Sequence, residues 1–242
     1  FLKLLPAMVL LQLMIYTPSI LIGRSSSGGL AELLATQITT ILFAPITLFG
    51  AAAFSLDVMR GGEPKTSLMF SQARDLQTTL KMWLAALVYY GSTLVFNVAV
   101  QIPMNTPYGP FETYVSETGM AFLLIALVIV LAVVEIWLTL RLWLFSYVAV
   151  TNPEAGAGEW LKTSWRAMKG NCGRQVRMVI SVFWPSVAFA ILFTLIAGRG
   201  ASLGSISLQT LSNMIFSCFY MGYPLLAQAG LAEDLLKEYQ RF

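Results

Sequence analysis

Met120 to Val134 is an unbroken run of fifteen apolar residues, and no other feature narrows the folding options of this chain as far. It opens a stretch, Met120–Val150, that exceeds the roughly 20 apolar residues a transmembrane helix needs. A soluble fold would have to bury that segment on all sides and then cover the result with polar surface. The chain lacks the means: 57% of its 242 residues are hydrophobic and 11% are charged, where soluble domains carry about 25% charge. The bilayer is therefore the expected solvent.

Apolar runs bounded by turn formers predict an all-α, polytopic transmembrane bundle of six spans: 2–22, 30–54, 80–102, 120–150, 176–197 and 206–227. Spans and short loops use up the chain, so 1–242 reads as a single integral membrane domain. Pro45 should kink the second span. The chain starts at Phe1 in apolar sequence without an initiator methionine, so upstream residues are expected. Phe1–Ile22 is too long for the apolar core of a signal peptide, and no small-residue cleavage site follows it.

Orientation follows from the lysines and arginines. Of 15 such residues, twelve fall on one side, Arg24 and Arg199 on the other, and Arg141 within the fourth span. Both termini are expected in the cytoplasm. The Gln101–Gly119 loop, which has Glu112 and Glu117 but no Lys or Arg, is expected outside.

The cytoplasmic loops are expected to carry short amphipathic interfacial helices. Asn152-Pro153-Glu154 resembles a helix start, and Gly170-Asn171 a stop. Between them Trp160, Leu161, Ser164, Trp165 and Met168 recur at helical spacing, with Lys162, Arg166 and Lys169 on another face. A basic helix with two tryptophans should lie in the headgroup plane. It reads either as a topological anchor, the plainer choice, or as a binding surface for anionic lipid or another membrane protein. A second stripe, Met69, Ala73, Leu76, Leu80 and Trp83, predicts a similar helix in the preceding cytoplasmic loop. Phe54-Ser55 and Phe145-Ser146 each precede such a loop, so spans two and three read as a repeat of spans four and five. A repeat would put any central site at its interface.

The stretch 145–171 carries a resemblance. Asn152-Pro153, then Lys162-Thr163-Ser164, then Met168-Lys169-Gly170-Asn171 before an apolar span is similar to the pattern of domain-of-unknown-function family 975, a group of multi-pass bacterial membrane proteins. Phe54–Phe70, with Arg60-Gly61-Gly62-Glu63-Pro64-Lys65, resembles that family's first basic loop, and Tyr223–Leu236 its closing segment. Cys172-Gly173-Arg174 stands where bulkier basic and aromatic residues are usual. The resemblance implies a helical bundle in the bacterial cytoplasmic membrane and no particular reaction.

Candidate chemistry is sparse. The chain has no histidine, which removes Ser-His and Cys-His nucleophilic pairs and His-held zinc or haem. Cys172 and Cys218 have no metal-binding spacing, and no cofactor loop is present. Palmitoylation and an inert thiol are the readings of Cys172, the second preferred; Cys218 reads as a small core residue. Asp57 and Asp75 do not form the buried pair an intramembrane aspartyl protease needs. Asn97 and Asn213 read as interhelical hydrogen-bonding residues.

Glu135, an acid inside the surest span, should face protein or water. It reads as a hydrogen-bonded structural residue, a polar binding residue or a proton relay, the first favoured. Arg141, six residues on, points to a different face and is expected to snorkel to the interface and pack on Trp137. The basic clusters alternate with spans, so headgroups rather than nucleic acid explain them.

The sequence thus predicts a non-enzymatic membrane protein, without metal or cofactor, that binds a lipid or a membrane-protein partner. Its candidate binding residues are Glu135, Arg141, Lys162, Trp165, Arg166 and Lys169. The alternative is a small-solute transporter or lipid scramblase with a site near the repeat interface.

Overall fold

The computed structural model describes residues 6, 9–10, 38–63, 65–73, 75–105, 121–197, 202–203, 206–207, 220 and 222–239. These are mostly helical, with short turns between helices and two-residue strands β1 (Ser202–Leu203) and β2 (Ile206–Ser207), paired antiparallel. The helices are α1 (Ile38–Ala44), α2 (Gly50–Met59), α3 (Leu76–Asn105), α4 (Ala121–Leu142), α5 (Phe145–Thr151), α6 (Ala157–Ala167), α7 (Cys172–Ala197) and α8 (Gly222–Tyr239).

Two helices are long and apolar enough to cross a membrane, Leu76–Phe96 within α3 and Ala126–Thr151 across α4 and α5. The pair Ile38–Ala44 and Thr47–Met59, bent by 48°, makes a third if it is one span. By length and composition this is a membrane protein. The first predicted span lies almost wholly outside the described residues, as do the external loop from 106 and most of the sixth span, with Asn213 and Cys218.

The predicted kink at Pro45 takes the form of a π-helical turn, Pro45–Phe49, between α1 and α2. Proline lacks the N–H that would continue the helical ladder, so neighbouring carbonyls need other donors. Trp83 Nε1 donates to the Leu42 carbonyl at 3.2 Å, and the Thr47 hydroxyl to that of Phe43 at 3.1 Å. Helix α2 ends in a Schellman turn: Gly61, at φ +84°, donates to Val58, and Gly62 donates to Asp57. At its other end Gly50 abuts the Met69 backbone of a 3-10 segment, Thr66–Ala73, leaving no room for a Cβ.

The fourth predicted span is not one straight helix. Its regular helix is interrupted by a two-residue turn at Trp143–Leu144, and beyond it α5 buries Phe145 to Ala149. Phe145 packs edge-on against Phe49, centroids 5.4 Å apart, and against Tyr89 at 5.3 Å. This tertiary contact outweighs the continuous hydropathy, which carries no breaker at that point.

The amphipathic helix predicted over Met69–Trp83 is replaced by two elements. Asp75 caps α3, its carboxylate accepting the Thr78 N–H at 2.9 Å and the Thr78 hydroxyl at 2.8 Å. The 3-10 segment before it has a different period, so Met69 is buried while Leu76 and Leu80 point outward. Asn152-Pro153 likewise ends α5 rather than starting α6, which begins at Ala157 after Gly156 in extended conformation. Proline disfavours helical geometry at the residue before it.

The main core therefore lies at one end of the long helices. It gathers Phe49, Leu56, Met82, Phe145, Trp160 and Leu235 from the π-turn, α2, α3, α5, α6 and α8. Farther along the spans the helices show apolar side chains outward, with 17% and 11% of their most apolar windows buried in the protein. The remaining apolar surface is what lipid would cover.

Candidate basic interfacial site

Helix α6 has two faces with different duties. Trp160, Ser164, Ala167 and Met168 point into the core, and Trp160 is 0% exposed. Its Nε1–H donates to the Asn152 carbonyl at 2.9 Å. The Ser164 hydroxyl donates to the Arg141 carbonyl at 3.0 Å, meeting one of the acceptors that the end of α4 leaves open. The sequence pattern placed both tryptophans on one apolar face; the structure separates them. Five residues along a helix turn through about 140°, and Trp160 takes the buried direction because Phe49 and the Asn152 carbonyl receive it.

The other face carries Lys162, Trp165, Arg166 and Lys169, all exposed. Lys162, Trp165 and Arg166, at i, i+3 and i+4, share one stripe of α6, and Lys169 follows in the turn after the helix ends. Among the described residues none of the three cations has an ion-pair partner. Arg174, by contrast, pairs with Glu238 at 2.8 Å, and Arg60 and Lys237 share Glu233 at 3.6 and 3.0 Å.

Arg141 lies where α4 meets this stripe. Its guanidinium carbon is 5.6 Å from the Trp137 ring and 5.5 Å from that of Trp165. The two rings meet edge to face with centroids 4.9 Å apart. The expected contact with Trp137 is present, and Trp165 closes the other side. One guanidinium N–H reaches the Trp165 carbonyl at 3.3 Å, placing a cation at the C-terminal turn of α6, where the helix dipole favours it. Arg141 Nε is buried with no acceptor among the described residues.

Glu135 is not part of this assembly. It is partly buried on α4, two turns back, near enough to Tyr89 of α3 to interact electrostatically. It makes no ion pair among the described residues. The structure thus brings together Arg141, Lys162, Trp165, Arg166 and Lys169 and leaves Glu135 apart. Ser164, which ties α6 to the end of α4, carries no sequence signal of that role beyond its place in the Lys162-Thr163-Ser164 pattern.

Two carboxylates at the same end have altered acidity. Hydrogen bonds from Thr78, side chain first, hold Asp75 below the usual carboxylate range. The Lys237 ammonium, assisted by Arg60, holds Glu233 down similarly. Cys172 is partly exposed at the start of α7 and donates weakly to the Met168 carbonyl at 3.3 Å. Among the described residues no three His, Cys, Asp or Glu side chains converge as metal ligands would.

Comparison of the chain with protein-family models, with curated proteins and with solved structures finds no match.

Proposed function

We propose that this chain is a non-enzymatic, six-span protein of the bacterial cytoplasmic membrane that binds a lipid or a membrane-protein partner through the basic face of α6. Both termini and α6 lie on the cytoplasmic side in this reading, and the plan is that of family 975, whose pattern residues 152–171 resemble. The observation that carries it is the exposed Lys162, Trp165, Arg166 and Lys169 stripe, without ion-pair partners among the described residues, on a helix whose other face is locked into the core. Cations near an anionic leaflet gain about 1 kcal/mol each.

The test is retention of anionic lipid by the purified full chain over a range of salt. Replacing Lys162, Arg166 and Lys169 together by Gln should lower retention, and salt should lower it for the wild type. Retention indifferent to both would refute the reading.

A second reading, a small-solute transporter or lipid scramblase, draws on the order of elements. Two interrupted apolar segments, α1–α2 bent at the π-turn and α4–α5 interrupted at Trp143–Leu144, are each followed by a short segment, the 3-10 turn Thr66–Ala73 or α6, and then by a long helix, α3 or α7. Broken helices at a repeat interface are a common way to build a transport site. Flux through vesicles containing the purified chain would favour this reading.

A further inference from the structure

The basic stripe does not end at α6. On α4, Val130, Val133, Val134 and Trp137 form an exposed stripe of i, i+3, i+4, i+7 spacing, and Arg141 continues it one turn farther. The two stripes meet at the Trp137–Trp165 contact, over the Arg141 guanidinium. From Val130 to Arg141 the helix rises about 16 Å, close to half of the roughly 30 Å hydrocarbon core of a bilayer. An apolar track one leaflet deep therefore leads to a guanidinium flanked by two indoles, with three more cations beyond it.

We infer that the Trp137–Arg141–Trp165 joint is a discrete site for the phosphate of one anionic phospholipid, its acyl chain on the Val130–Trp137 face of α4 and its headgroup under the α6 stripe. This rests on the lipid-binding reading above and makes it specific. Arg141 has no carboxylate partner among the described residues, and of its guanidinium N–H groups it is the terminal one at Nη1, donating to the Trp165 carbonyl at 3.3 Å, that lies at the exposed side. A phosphate oxygen is the acceptor that a guanidinium's planar array of donors matches best. The indoles suit the same depth, since tryptophan's apolar ring and polar N–H favour the headgroup boundary. A soluble anion would make no use of the apolar track, and a zwitterionic lipid would set its own ammonium against Lys162, Arg166 and Lys169.

The test is native mass spectrometry of the intact chain, titrated with phosphatidylglycerol, with phosphatidylcholine of the same acyl chains, and with inorganic phosphate. The wild type should bind one phosphatidylglycerol saturably and more tightly than either alternative. Arg141→Gln should weaken that first lipid by about tenfold or more, the loss expected for hydrogen bonds to a charged group. Trp137→Ala, which leaves the hydrogen bonds between Arg141 and α6 in place, should weaken it by a smaller factor. Arg141→Lys should restore part of the affinity, and circular dichroism should show all three variants folded. Equal binding of the two lipids, or inorganic phosphate binding as tightly as lipid, would overturn the inference. Should Arg141→Gln unfold the chain, unaltered lipid affinity in Trp137→Ala would overturn it instead. Normal first-lipid binding by Arg141→Gln, with retention reduced in the Lys162, Arg166 and Lys169 triple variant, would sink the discrete site and spare the broader reading. A triple variant with unchanged retention would sink both.

Discussion

Replacing Trp160 by alanine distinguishes a helix α6 docked on protein from one floating among headgroups. The indole is fully buried, lies 6.3 Å from the Phe49 centroid, and donates to Asn152 at 2.9 Å. A ring of this size removes roughly 150–250 Å² from solvent, an upper estimate of about 4–6 kcal/mol at ~25 cal/mol per Å². Aromatic-to-alanine truncations in protein cores cost about 3–5 kcal/mol, so a loss of about 4 kcal/mol is expected. Trp165, 37% exposed, should behave differently. Its alanine variant loses the ring contact with Trp137 and the cation–π contact with Arg141, together about 1–2 kcal/mol. Trp160→Phe keeps most of the ring and drops the donor, at about 1–2 kcal/mol. Unfolding of the full chain in mixed micelles, driven by a strong detergent and followed by circular dichroism, gives all three values. If Trp160→Ala costs no more than Trp165→Ala, α6 is not docked through Trp160 and the assignment of its faces fails.

Glu135→Gln should change stability by no more than about 1 kcal/mol, because hydrogen bonds between membrane helices average about 0.6; proton-coupled uptake abolished by this variant would promote the transporter reading. Gly50→Ala drives a Cβ into the Met69 backbone and should cost about 2 kcal/mol, whereas Gly61→Ala, at φ +84° with open space around it, should cost about 1; the reverse order in the same titration would contradict the packing of α2. Glu233 is held below its ordinary pKa by Lys237 and Arg60, so its contribution to stability is complete above the normal carboxylate range and fades as pH falls through the lowered value. Glu233→Gln should therefore flatten part of the acid-side loss of stability, and an unaltered acid profile would assign that loss elsewhere. With Cys172 and Cys218 replaced, an impermeant thiol reagent applied to intact cells should label Glu112→Cys and spare Lys162→Cys; the opposite pattern inverts the topology.

What the sequence disclosed and what it hid divide along the range of the interactions. Proline's missing N–H is a local property, so the bend at Pro45 was legible. So was the Gly170-Asn171 stop, where Gly170 adopts φ +87° and the Asn171 side chain donates to the Ala167 carbonyl. The Arg141–Trp137 contact follows from i, i+4 spacing alone. The interruption at Trp143–Leu144 did not show, because the residues that receive Phe145 of α5, Phe49 and Tyr89, are far away in sequence. Periodicity also could not tell which tryptophan of α6 goes inside, since both sit within an apolar arc and contact with Phe49, far away in sequence, helps decide. The capping by Asp75 is a different case. Aspartate is a favoured N-cap residue and so a local signal for a helix start, and a 4-3-4-3 apolar count running straight past Asp75 obscured that signal.

The two faces of α6 bear on how a membrane-surface helix can serve a purpose beyond anchoring. An anchor gains affinity from the apolar area it buries below the headgroups, and its outward face is then the apolar one. Here the face given to protein carries Trp160, Ala167 and Met168, and the face left over carries Lys162, Arg166 and Lys169 with one indole. The apolar content of the helix is thus spent within the protein, and Trp160 and Ser164 fix its position through the ends of α5 and α4. None of the three cations contributes an ion pair among the described residues, so their charge supports neither the core nor the docking of α6. The packing side chains and the exposed cations therefore sit on different faces of α6 and the turn that follows it. For that reason the triple Gln variant should retain wild-type stability, and any change in lipid retention it shows is a change in binding rather than in fold.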